Sequence, residues 1–138
     1  RAMREEPPLS VKPTNHTLNN IDNSIPGPEV KEHIRALVLH VLQPIRDALQ
    51  KPLVVNSGYR CPELNELVGG KPTSQHLKGE AADIHTSSPY ALAKLAKELE
   101  LPFDQMILYP TFVHFSHKLN GEQRGYIGYS KTYNGDKL

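Results

Sequence analysis

The sequence predicts an α+β fold: a small, mostly antiparallel sheet with helices 28–49 and 88–99 against one side and a functional site on the other. Three observations carry this. After Pro28, the apolar residues Val30, Ile34, Leu37, Val38, Val41, Leu42 and Ile45 recur at the spacing of one helical face. Elsewhere, apolar runs of strand length are bounded by Gly, Pro, Ser and Asn. Two such runs, 103–109 and 112–116, are separated only by Pro110-Thr111, which predicts an antiparallel hairpin.

Taken in order, residues 1–27 are rich in Pro, Asn, Ser and Thr without a sustained period, and predict an extended segment ahead of a single domain over 28–138. Pro28 suits the first helical position, whereas Pro44, lacking an amide donor, predicts a kink or early end. Leu53-Val54-Val55-Asn56 predicts a short buried strand, leaving Arg60 at its exit. Pro62 opens a short helix through Leu64, Leu67 and Val68, Gly69-Gly70 stops it, and Lys71 to Gln75 form a polar loop. Glu80 to Ile84 reads as another strand. Ser88 as N-cap and Pro89 as first residue then open the helix bearing Leu92, Leu95, Ala96 and Leu99. In the tail, Tyr126 to Tyr129 predicts pairing at a sheet edge.

A chain of 138 residues can bury one core without disulfides. Its net charge of +1 comes from scattered basic residues, which leaves no electrostatic footprint for a nucleic-acid backbone. Cys61 is the single cysteine, so no intrachain disulfide forms; it reads as a small packing residue and leaves the compartment open. No apolar run approaches the roughly 18 residues of a membrane span, and Arg1 to Glu6 lacks the apolar core of a signal peptide. A soluble monomer that does not insert into membranes is expected.

Chemistry concentrates in two places. Between Ser74 and Asp83, a His and an Asp stand seven apart, His76 and Asp83, with Gly79 between them to let the chain turn back. In Phe112 to Ser116, strand alternation puts His114 on the face opposite Val113 and Phe115. Two imidazoles and one carboxylate suit a catalytic zinc, leaving a fourth position open. Such an ion lowers the pKa of water from 15.7 to about 7 and polarises a carbonyl. With seven His in the chain, accidental His/Asp pairs also arise, so spacing alone leaves satisfied polar residues around a core as the other reading.

Four ordered motifs carry a resemblance: Ser57-Gly58-Tyr59-Arg60; Ser74-Gln75-His76 with Gly79-Glu80-Ala81-Ala82-Asp83; Phe103-Asp104-Gln105; and Val113-His114-Phe115-Ser116. Over roughly Ile21 to Ser116 the chain resembles the zinc D-Ala-D-Ala carboxypeptidase family, peptidoglycan metallopeptidases that share their fold with the hedgehog signalling domain. The resemblance implies zinc held by His76, Asp83 and His114. It implies a peptidoglycan peptide as substrate, cut by a carboxypeptidase or endopeptidase acting at the bacterial cell envelope or as a phage lysin. It makes Arg60 the arginine facing the metal, able to hold a substrate carboxylate or a developing oxyanion, the alternative being a surface arginine paired with Glu63. Ser74 matches the serine that approaches substrate, or else only braces its loop, and Gln75 and Tyr109 join it as substrate-binding candidates. Asp104 matches a family position, read as a catalytic-site residue that orients a metal-bound His. His85 and His117 read as solvent-facing, the alternative being that they stand behind the metal ligands or relay protons.

One departure stands out. Relatives carry a Glu shortly before the last His as general base, where this chain has Leu108-Tyr109-Pro110-Thr111. Asp104, His117 and Glu122 remain as candidate bases and Tyr109 as a hydrogen-bond donor. A non-catalytic zinc-containing module that binds peptide or wall is therefore the alternative reading.

Overall fold

The computed structural model describes residues 17–18, 21–22 and 27–138. Most of the expected extended segment 1–27 lies outside the described residues; the two-residue strands β1 (Thr17–Leu18) and β2 (Ile21–Asp22) within it pair antiparallel.

Helix α1 (Pro28–Leu37) begins on Gly27 with Pro28 in its first turn, and buries Ile34, Ala36 and Leu37. Pro44 does not end the helix. The backbone passes through one π-helical turn, Val38–Leu42, and resumes as α2 (Gln43–Leu49) with the proline in its first turn. The missing Pro44 amide and the clash of its ring thus fall where the α-helical hydrogen-bond ladder has already shifted. Helix α3 (Pro62–Leu67) is capped by the Cys61 sulfur, which accepts from the Leu64 amide at 3.4 Å. Helix α4 (Pro89–Glu98) is capped by Ser88 Oγ, which accepts from the Ala91 amide at 3.2 Å, as the sequence predicts.

The main sheet has five strands in the order β3 (Val54–Ser57), β4 (Ala81–His85), β6 (Phe112–Ser116), β5 (Gln105–Leu108) and β7 (Tyr126–Tyr129). All neighbours are antiparallel except β5 and β7. The 103–116 hairpin forms as expected, with β5 shorter than the apolar run, although the Asp104 amide still donates to the Ser116 carbonyl. Strand alternation divides the sheet cleanly. Ala82, Ile84, Met106, Leu108, Val113 and Phe115 are buried in one cluster with Leu37, Val41, Ile45, Leu92, Ala93 and Ala96. On the opposite face, register sets Ser57 beside Asp83, Asp83 beside His114, and His114 beside Ile107. A bulge between Val55 and Ser57 brings Ser57 into this row.

Between α3 and β4 the chain makes a 3-10 turn, Gln75–Lys78, closed by Gly79 at φ 77°. His33 Nδ1 lies 2.8 Å from the Lys78 carbonyl, tying this turn to α1. A Cβ on Gly79 would stand 2.9 Å from both the Val30 carbonyl oxygen and its Cγ1. Gly79→Ala combines left-handed strain with overlap against helix backbone, and is expected to cost about 2–4 kcal/mol. The check is a lowered urea midpoint with unchanged m-value.

Candidate metal centre

The site lies on the sheet face away from the core, where β4 and β6 present Asp83 and His114 from opposed positions. The 3-10 turn delivers His76 over them. Ser74 begins that turn, its Oγ accepting from the His76 amide at 3.1 Å. The Arg60 amide donates to the His76 carbonyl at 3.0 Å, pinning the turn to the exit of β3.

Asp83 Oδ1 lies 3.3 Å from His76 Nε2 and 2.9 Å from His114 Nδ1, and one donor atom from each of the three residues falls within 4.8 Å of the others. A tetrahedral zinc with bonds of about 2.0–2.1 Å has donor separations of about 3.3 Å. The donor set fits zinc in its chemistry, and the two separations from Asp83 lie close to that value. His76 Nδ1 sits 2.7 Å from the Gly58 carbonyl, so that nitrogen carries the proton and Nε2 presents a lone pair to the centre. Burial disfavours the Asp83 carboxylate, but the hydrogen bonds and charges of His114 and His76 outweigh it and hold the group well below the usual carboxylate range. The group is anionic at any physiological pH.

Arg60 is not a surface residue paired with Glu63. Its Nε donates to Ser57 Oγ at 3.1 Å and its Nη1 to Asn65 Oδ1 at 3.1 Å, while Nη2 stands 3.6 Å from Asp83 Oδ2. Gly70 packs against this arrangement, where a Cβ would meet Asn65 Oδ1 at 2.1 Å. A cleft of about 550 Å³ opens over the three ligands, and Arg60, Ser74, Gln75 and Tyr109 all line it. Tyr109 stacks on Phe112 at 4.3 Å between ring centres. Its phenol is pushed above its ordinary value by burial and by the charge of Asp83, with Arg60 opposing, which keeps it a proton-bearing donor. Gln75 Nε2 donates to Glu80 and Asp104 at 3.1 Å each, and its buried Oε1 has no partner among the described residues.

Asp104 departs from its expected role. The acceptor behind His76 is the Gly58 carbonyl, and the fully enclosed Asp104 instead engages Arg124, which Nε and Nη2 approach at 3.0 and 2.6 Å. It also takes the Arg124 amide at 2.8 Å. His117 is likewise not solvent-facing. It is buried on the far side, its Nδ1 2.7 Å from the Pro102 carbonyl and its ring 4.9 Å from that of His40. His85 is exposed as expected, and so is Glu122, which does not line the cleft. Of the groups weighed in place of the missing Glu, Tyr109 alone lines the cleft. Arg124 is the residue that sequence reasoning passed over. Its signal was faint: a basic residue in the tail, far along the chain from the acid it holds.

Enclosure raises the Asp104 pKa, but Arg124 and Lys118 outweigh this and bring it down to about 2. A lowered folded-state pKa adds stability that is present above the unfolded value, near pH 4, and lost as pH falls through the folded one. Because the Arg124 side chain is 52% exposed, solvent screens the pair and the contribution is on the order of 1–2 kcal/mol. Between about pH 4 and pH 2, wild type is expected to lose that much more stability than Asp104→Asn in urea titrations.

Similarity to known proteins agrees with this geometry. The family model described as Peptidase M15 matches residues 11–117. The zinc D-Ala-D-Ala carboxypeptidase of Streptomyces albus G is 42% identical over 59 residues, which is 41% of this chain. The matched part spans 23% of that relative's length. With most of its length matched by the family model and a metal-ligand triad assembled beneath an open cleft, the chain belongs to the peptidase M15 family.

Proposed function

We propose that residues 28–138 form one zinc-dependent peptidase domain that hydrolyses amide bonds in peptidoglycan peptides. The observation that carries this is the gathering of His76, Asp83 and His114 within one cleft, a donor set that suits zinc, with room left for a substrate. Zinc, when bound, activates water and polarises the scissile carbonyl. The protein's own groups do the rest. Arg60, its guanidinium braced by Ser57 and Asn65, supplies positive charge beside Asp83 that offsets negative charge developing on the carbonyl oxygen. Tyr109 presents a phenolic proton to the substrate. Ser74 spends a lone pair on the His76 amide and keeps its own O–H as a donor to the peptide.

A second reading, a module that binds zinc and wall peptide without cutting, is favoured by one observation: Asp83 is the only carboxylate lining the cleft among the described residues. One experiment separates the two. Zinc-loaded protein is incubated with purified peptidoglycan from several wall types, with His114→Ala as control, and new amines are sought by mass spectrometry. Chelator-sensitive release is expected. One equivalent of bound zinc without product from any wall type would establish the binding module.

A further inference from the structure

The cleft has a second fixed guanidinium that no step above uses. Arg124 lies beyond the residues matched by the family model, yet it lines the same cleft as the metal ligands. Asp104, enclosed and held also by Gln75, takes the Nε and Nη2 edge of Arg124 and its backbone amide. Nη1 is left without a partner among the described residues, and 52% of the side chain stays exposed. Here the acid is sunk and the base is held out, so the arginine fork is set before any ligand arrives. Charge in the cleft points the same way. Arg60, Lys71 and Arg124 line it against the single carboxylate of Asp83, whose charge a bound metal ion would offset.

We infer that Arg124, fixed by Asp104, forms an anion subsite that recognises a carboxylate on a residue flanking the scissile amide. Gln75 links this subsite to the metal centre, since its amide donates to Asp104 while the next residue, His76, is a ligand. The inference deepens the peptidase reading and rests on it for the peptide nature of the ligand. A carboxylate could be the peptide's C-terminal group or an acidic side chain, and both present the same pair of oxygens to the fork.

Binding is measured by calorimetry on chelator-treated protein, where no hydrolysis occurs. The probes are acetyl-D-Ala-D-Ala against its C-terminal amide, and an end-blocked tripeptide with internal Glu against its Gln counterpart. Wild type is expected to prefer one carboxylate form over its neutral partner by about tenfold, and the pair that shows the preference identifies the source. Arg124→Gln should remove most of that preference, and Arg124→Lys should retain part of it. Asp104→Asn, which frees the fork, should weaken the preference without abolishing it. Equal binding of charged and neutral peptides by wild type would overturn the inference. So would an undiminished preference in folded Arg124→Gln or, if that variant does not fold, a full preference in Arg124→Lys. Carboxylate preference without hydrolysis in zinc-loaded protein would leave the subsite standing and refute the peptidase reading alone.

Discussion

Asp83→Ala is expected to abolish stoichiometric zinc binding and, with it, any hydrolysis of peptidoglycan. Asp83 is the hub of the site: both histidines reach its Oδ1 and Arg60 approaches its Oδ2. Structural zinc sites gain about 10–16 kcal/mol from their full ligand set, so an equal share for one of three ligands is about 3–5 kcal/mol, or about 10²- to 10⁴-fold in affinity. The charge matters as well as the atom, because Asp83 is the anionic member that offsets the metal's own charge. Equilibrium dialysis followed by metal analysis reads the effect, with circular dichroism confirming the fold. Asp83→Asn is the companion variant. It keeps the shape and a hydrogen-bonding oxygen but loses the anion, so a folded Asn protein with weak zinc binding locates the loss in coordination. A full equivalent of tightly held zinc in either folded variant would remove Asp83 from the ligand set.

The second large effect lies on the other face of the same strand. Phe115→Ala is expected to destabilise the protein by about 3–5 kcal/mol, the range for emptying a large aromatic from a close-packed core. Phe115 is fully buried in the central strand, with Ala82 beside it on β4 and Met106 on β5. Ala82 is too short to fill the space, and Met106 is the neighbour with the freedom to lean in. Thermal unfolding should shift down by about 10–20 °C. Because His114 precedes Phe115, zinc affinity is expected to fall as well, although no ligand has changed. Phe115→Leu, which keeps most of the volume, should recover the larger part of both losses. A stability change under 1 kcal/mol would mean that this face is not the core.

Much of this arrangement was legible because the two periodicities are strict. The run from Val30 to Ile45 marks a helix face, and alternation in Phe112 to Ser116 separates His114 from Val113 and Phe115 with no ambiguity. The gathering of His76, Asp83 and His114 was readable from residue chemistry joined to ordered motifs. What escaped depends on where distant parts of the chain meet. Pro44 signalled a break, yet a π turn placed just ahead of it absorbs the defect, and hydropathy carries no mark of such a turn. Asp104 and Arg124 stand twenty residues apart in a region without a period, so their pairing comes only from the parallel docking of β7 on β5. His117 follows a strand whose alternation stops at Ser116, and the ring of His40 stacked on it comes from the π turn between α1 and α2. Sequence spacing records neighbours within an element, while these contacts are set by how elements are laid together.

The row that joins Ser57, Asp83, His114 and Ile107 across four strands has a consequence for how such a domain tolerates change in length. Inserting or deleting one residue within β4 or β6 would rotate a ligand through the sheet into the hydrocarbon interior and expose a core side chain in its place. Two residues would restore the facing but displace the ligand by a full strand repeat. Changes in length are therefore expected to be tolerated at the connections on the rim, such as Pro110-Thr111 and the stretch leading to Arg124, while the row itself stays locked by its register.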